Sequence, residues 1–315
     1  MVYFNFFLLE FACRKIDTIL WERKEPEYRL NDPSPRDAVK PMILFILILF
    51  FAFVVPSVAA DAWFADTRPG TVALSRLAAN EWEEASGREF FETFDSSVPL
   101  VVVIHGNWMS LSEAKHYGKM FHALSRSIGS HRLLVWSWPS ERLNGRVRRD
   151  AQIKAVRADA QAEHLTAFLY SLPADSKVSL VGFSFGAKLV CNTLQQCADH
   201  SLQIRTVLLA AGIDQASLQP GRQYGNALFA TEAMLVHINR LDSKLRFYPL
   251  LYGCGGPEAV GKDGVSRYGM SAESRAKIKS VDVSRLIGGE HGFMDSLRAF
   301  LACRSDFKHY SLFLD

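Results

Sequence analysis

A serine flanked by glycines two residues to either side, Gly182-Phe183-Ser184-Phe185-Gly186, follows an apolar, β-rich run at 177–181 and precedes a helical run at 187–191. Strand, G-x-S-x-G and helix, in that order, are what a nucleophile elbow requires, the alternative being a plain glycine-rich turn. The chain must turn so sharply between the two elements that the serine backbone is strained, and the glycines remove side chains that would collide. The following helix aims its N-terminal N–H groups at the serine, where they can stabilise a developing oxyanion. A serine hydroxyl is a poor nucleophile at neutral pH and needs a base within hydrogen-bond reach. His291, in Gly288-Gly289-Glu290-His291-Gly292, sits on a glycine-rich loop suited to presenting its ring.

Composition fits one enzyme domain behind a separate leader. The chain has 315 residues and a formal net charge of +3. The first sixty residues carry equal numbers of acidic and basic groups, and so small an excess in the rest gives no support for a nucleic-acid partner. The remainder is long enough for one large α/β domain with a sizeable core. Residues 42–55 carry no polar side chain, and Pro56-Ser57-Val58-Ala59-Ala60 follows with small residues. An apolar stretch of about 14 residues ending this way matches a secretory h-region and cleavage site better than a full membrane span. Cleavage would leave Asp61 at the new N-terminus. Residues 1–41 are too long for an n-region, which leaves two readings: translation from Val39, or a cytoplasmic tail on an uncleaved signal anchor at 42–60. Both predict export of the catalytic part, with the membrane a partner only through that segment.

The cysteines are scattered. Cys191 and Cys197 fall in one expected helix but project in different directions, and with Cys254 and Cys303 they are expected to be small buried hydrophobes. No C-x-x-C pair and no H-E-x-x-H helix occurs, so a metal site has no sequence support.

Past the leader, strands alternate with helices. The run at 99–104 is continuously apolar, as for a strand buried on both faces, and ends in His105-Gly106-Asn107-Trp108-Met109. A helix is expected over 112–127, a strand over 132–138 and a long helix near 150–172. The elbow strand, a helix over 186–198 and strands over 205–210, 234–239 and 281–287 follow, and a helix over 293–303 closes the chain. Residues 61–97 are ambiguous between edge strands and a short helix, as an extension of a domain spanning 98–315. The pattern predicts a mostly parallel sheet with helices on both faces.

With these elements, the chain resembles the α/β-hydrolase family over roughly residues 98–303, through His105-Gly106-Asn107 after an early strand, the elbow at Ser184, an aspartate after the penultimate strand and a histidine after the last. The Trp136-Ser137-Trp138-Pro139-Ser140 stretch also resembles a bacterial branch of serine-hydrolase-like proteins. The resemblance implies the α/β-hydrolase fold and the order nucleophile, acid, histidine, here Ser184, Asp242 and His291. Asp214, one strand earlier, is the alternative acid, although it looks equally able to cap a helix. Ser243 is expected to N-cap a helix over 244–251 and so rigidify the loop around Asp242. In this scheme His291 takes the serine proton, the aspartate fixes its tautomer, and the backbone N–H groups of Phe185 and Asn107 form the oxyanion hole, worth about 3 kcal/mol per donor.

The expected activity is hydrolysis of a small ester-like substrate through an acyl-enzyme, without a cofactor. The alternatives are a peptidase or thioesterase on the same machinery, and a hydrolase-fold binding protein without turnover. His105 is expected to be a structural loop residue, His116, His122, His164 and His237 packing or surface residues, and Glu290 solvated. The basic cluster of Arg142, Arg146, Arg148, Arg149, Lys154 and Arg157 reads as a solvated face, with anion binding the less favoured reading. The loops at 215–230 and 252–275 are expected to shape the pocket.

Overall fold

The computed structural model describes residues 61–126, 129–198, 202–253, 255–303, 306, 309–310 and 312–313. The leader and both readings of it, and Cys254, lie outside the described residues. No described helix is long and apolar enough to cross a membrane.

The ambiguous segment becomes a hairpin edge and a capped helix. Strands β1 (Ala62–Asp66), β2 (Ala73–Ala78) and β3 (Glu81–Ala85) pair antiparallel in sequence. Helix α1 (Gly87–Glu92) follows, with the Ser86 hydroxyl accepting from the Glu89 N–H. Then come β4 (Leu100–Ile104), α2 (Leu111–Ser125) and β5 (Arg132–Ser137). Helix α2 starts at a capping box in which Ser110 and Glu113 exchange side chain-to-backbone bonds. The single long helix expected near 150–172 is two, α3 (Val147–Ala160) and α4 (Ala162–Tyr170), separated at Gln161. After β6 (Lys177–Phe183), α5 (Gly186–Gln196) and β7 (Gln203–Leu209) come the short α6 (Ala227–Ala230) and β8 (Ala233–Ile238). A 3₁₀ helix, Leu245–Leu251, leads to the short helices α7 (Val260–Asp263) and α8 (Ala272–Lys277).

The last strand falls earlier than its sequence suggests. β9 is Ile278–Asp282, and residues 284–287, expected as strand, form the short helix α9 (Ser284–Ile287). The Asp282 carboxylate accepts from the Ser284 N–H at 2.9 Å, which turns the chain out of the sheet. Only Ile278 of β9 is buried, so its apolar pattern is a weak register signal. α10 (Phe293–Cys303) closes the described domain.

The nine strands form one sheet in the order β3-β2-β1-β5-β4-β6-β7-β8-β9. From β1 onward every pairing is parallel. β4 is buried along its whole length, as its unbroken apolar run requires. The chain passes from β5 on one side of β4 to β6 on the other, so the loops leaving β4 and β6 separate there, the place where open α/β sheets form crevices. The β3 edge carries Glu81, Glu83 and Glu84, which discourages further strand pairing.

Cys191 and Cys197 are buried free thiols that burial pushes up to about 12 and about 11, so they act as apolar filling. His105 and His237 are also buried, and burial pushes each down to about 4 from the ordinary 6.5. Between those values the unfolded chain binds protons that the folded chain refuses. Stability is therefore complete above about pH 6.5 and falls as pH drops toward 4, by up to about 3 kcal/mol per histidine. Urea unfolding should show a midpoint that declines from pH 7 to pH 4.5, with a shallower decline for His237→Gln. A flat profile would contradict the burial of neutral imidazoles.

Candidate active site

Ser184 occupies the turn between β6 and α5 at φ +52°, a left-handed conformation that a non-glycine residue adopts only under constraint. Its backbone is tied on both sides. The Ser184 N–H donates to the Leu209 carbonyl at the end of β7, and its carbonyl accepts from the Gly212 N–H, both at 3.0 Å. The flanking glycines are required by contact. A Cβ on Gly186 would stand 2.6 Å from the carbonyl oxygens of both Ile104 and His105, and one on Gly182 would meet the backbone of Gly186 and Ala187 at 2.9 Å.

The three residues that the resemblance puts in order meet here. The Ser184 hydroxyl lies 3.0 Å from Nε2 of His291, and Nδ1 of His291 lies 2.7 Å from Oδ2 of Asp242. An ionised carboxylate only accepts, so Nδ1 carries the proton and Nε2 is free to accept from the serine. Asp242 is buried, and its second oxygen accepts from the backbone N–H groups of Lys244 and Leu245, both at 2.8 Å. The carboxylate itself therefore holds the start of the 3₁₀ helix, where Ser243 was expected to cap an α-helix. This arrangement is stiffer than a separate serine cap would be, because one group both opens the helix and orients the imidazole. The His291 ring packs against Phe183, with ring centres 5.1 Å apart.

Asp214 is elsewhere employed. Its Oδ1 accepts from the Ala216 N–H at 2.8 Å, closing a turn, and its backbone forms a bridge with Ala259. The loops at 215–230 and 252–275 are joined here, since Gln215 donates to Glu258 and its carbonyl accepts from Ser266. One residue that sequence reading passed over ties the site together. Asn239, buried at the end of β8, donates from Nδ2 to the carbonyls of Gly288 at 2.9 Å and Glu290 at 3.4 Å. Ser243 N–H donates to the Gly289 carbonyl at 3.1 Å. The loop carrying the acid is thus stapled to the loop carrying the histidine. The only sequence signal was a polar residue ending an apolar strand.

The loop after β4 runs close to Ser184. A Cβ on Gly106 would lie 2.9 Å from the Ser184 Cβ. The backbone N–H groups of Asn107 and Phe185 donate to no acceptor among the described residues, whereas the Trp108 N–H is committed to the Ser140 carbonyl at 2.8 Å. His105 anchors this loop. The Trp138 N–H donates to its Nε2 at 3.3 Å, so Nδ1 is protonated and donates to the Gly106 carbonyl at 2.9 Å. The Ser137 hydroxyl sits 3.1 Å from Nε2 and accepts from Arg68, whose guanidinium also pairs with Asp66 and Glu141. Among the described residues no cluster of side chains could hold a metal ion.

No protein-family model matches the chain, and no curated protein matches it. Among solved structures, the esterase RhEst1 from Rhodococcus sp. ECU1013 is similar at a TM-score of 0.38 and 13% identity, over 80% of this chain and 100% of that one. So distant a likeness carries no weight beside the geometry.

The hydrogen bonds order three substitutions. Asp242→Asn should keep the shape but misalign the imidazole, costing up to about 10⁴-fold in turnover. Asn239→Ala should lower kcat about 10-fold with KM little changed, because loosening the staple disturbs orientation and not substrate binding. Asp214→Asn should cost no more than a few-fold. Steady-state kinetics on a soluble ester check the ranking, and a larger loss at Asp214 than at Asp242 would move the acid's role.

Proposed function

We propose that this chain is a serine hydrolase of the α/β-hydrolase type, cleaving a carboxylic ester through an acyl-enzyme on Ser184. One observation carries the reading: an unbroken run of hydrogen bonds from the Ser184 hydroxyl through His291 to the buried Asp242 carboxylate. A polar triad that spans three loops far apart in sequence has little packing purpose.

In the proposed reaction, the Ser184 oxygen attacks the ester carbonyl carbon while His291 Nε2 takes its proton. The carbonyl oxygen becomes an oxyanion between the Phe185 and Asn107 N–H groups, which have no acceptor to give up among the described residues. Asp242 stabilises the imidazolium. The C–O bond then breaks as His291 returns the proton to the departing alkoxide, leaving the acyl group on Ser184. Water attacks that ester, with His291 again taking a proton, and the acid leaves as Ser184 is reprotonated. Thioesters and amides can follow the same route. A hydrolase-fold binding protein would need no working relay.

Ser184→Ala should reduce turnover to the level set by the oxyanion hole and substrate binding alone, a loss on the order of 10³-fold or more, with the unfolding midpoint retained. His291→Ala should be nearly as severe, because members of such a relay act as a unit. A panel of soluble ester substrates measures both. Retention of more than a few per cent of turnover in Ser184→Ala would overturn the mechanism, and no turnover by the unsubstituted chain would favour a binding role.

A further inference from the structure

The basic stretch at 142–157, expected to be a solvated face, divides in two. Lys154 is fully buried, pairs with Asp150 at 3.2 Å and donates to the Ser140 carbonyl. Arg157 donates to the Pro139 carbonyl at 2.9 Å. These two cations hold structure. Arg142, Arg146, Arg148 and Arg149 are exposed and pair with no carboxylate among the described residues.

Three of them, Arg146, Arg148 and Arg149, line an open groove of about 780 Å³ together with Asn144, Asp150 and Gln152. The acidic residue there is already committed. Asp150 accepts from the Leu143 N–H, from Lys154 and from the indole N–H of Trp108. Its charge is matched by Lys154, so the arginines leave the groove with an uncompensated positive field.

The groove is hydrogen-bonded to two segments that lead to the candidate active site. Trp108, whose indole is held by Asp150 and covered by the Arg142 guanidinium at 5.6 Å, lies two residues from Gly106, where a Cβ would come within 2.9 Å of the Ser184 Cβ. On the other side, the Gln152 amide donates to the Leu251 carbonyl, at the end of the 3₁₀ helix that Asp242 opens. Through Asp150 and Gln152, which line it beside the arginines, the groove is hydrogen-bonded to the loop after β4 and to the 3₁₀ helix after Asp242.

We propose that this groove binds an anionic group, phosphate or carboxylate, carried by the substrate whose ester bond is presented to Ser184. The proposal rests on the ester-hydrolase reading for its catalytic half. Guanidinium is the side chain suited to it, since its planar fork meets carboxylate and phosphate through paired hydrogen bonds.

Two measurements separate this proposal from the reading beneath it. The first compares the para-nitrophenyl monoester of glutaric acid with para-nitrophenyl valerate, equal in acyl length but differing in charge. The kcat/KM ratio of anionic to neutral ester should favour the anion, fall at least about 10-fold in the Arg146→Gln/Arg148→Gln/Arg149→Gln variant and stay unchanged in Arg88→Gln, an exposed arginine on α1. The second titrates inorganic pyrophosphate into Ser184→Ala by calorimetry, which needs no turnover. Binding should be saturable, weaken at least about 10-fold in the added triple variant and weaken with salt. Vesicles of phosphatidylglycerol and of phosphatidylcholine then identify the source: arginine-dependent sedimentation with the anionic vesicles alone supports a lipid headgroup, and its absence a soluble anion. If neither ester turns over but the arginines still bind pyrophosphate, the ester reading fails and the anion site stands. Pyrophosphate binding that is absent, or equal with and without the three arginines, would overturn the proposal.

Discussion

The carbonyl oxygens of Ile104 and His105, at the end of β4, leave no room for a side chain at Gly186. That contact packs the start of α5 against the central strand and leaves two residues, Ser184 and Phe185, to complete the turn between β6 and α5. Ser184 takes the left-handed conformation as a result, at a cost of about 1–3 kcal/mol. The surrounding bonds to Leu209 and Gly212 keep it there. The other residues of the candidate site are arranged around that fixed point, with Nε2 of His291 3.0 Å from the Ser184 hydroxyl.

The partners reach Ser184 from the same end of the sheet by separate routes. The loop after β4 arrives through Gly106 and is braced by a neutral, buried His105 between Gly106 and the residues that follow β5. The acid loop after β8 and the histidine loop after α9 arrive joined, through Asn239 and the Ser243 N–H. Joining them makes the Asp242–His291 distance a property of one unit. The pair is presented to Ser184 already oriented, the preorganisation on which the proposed reaction would draw.

The sequence made the centre of this arrangement visible because burial and strain leave local marks. A strand covered on both faces must be apolar throughout, as β4 is, and a turn without space for Cβ atoms must use glycine, as at Gly182 and Gly186. The edges left weaker marks. β3 carries glutamates suited to an edge and reads as readily as helix, and β9 buries only Ile278, so its register moved when Asp282 turned the chain early. Long-range bonds left almost none. Nothing local indicates that Asn239 grips Gly288 and Glu290 across the site, that Asp242 opens the 3₁₀ helix itself, or that Lys154 in an arginine-rich run is buried against Asp150.

In the proposed reading, the hydrogen-bonded frame makes one particular hydroxyl, that of Ser184, nucleophilic at neutral pH. A fluorophosphonate probe reacts with activated serines and bonds covalently to the attacking oxygen, so peptide mapping after labelling reads the claim at a single atom. One adduct is expected, on Ser184, forming rapidly at pH 7 and disappearing when the protein is unfolded before exposure to the probe. An unlabelled native chain, or an adduct on a different serine, would contradict it.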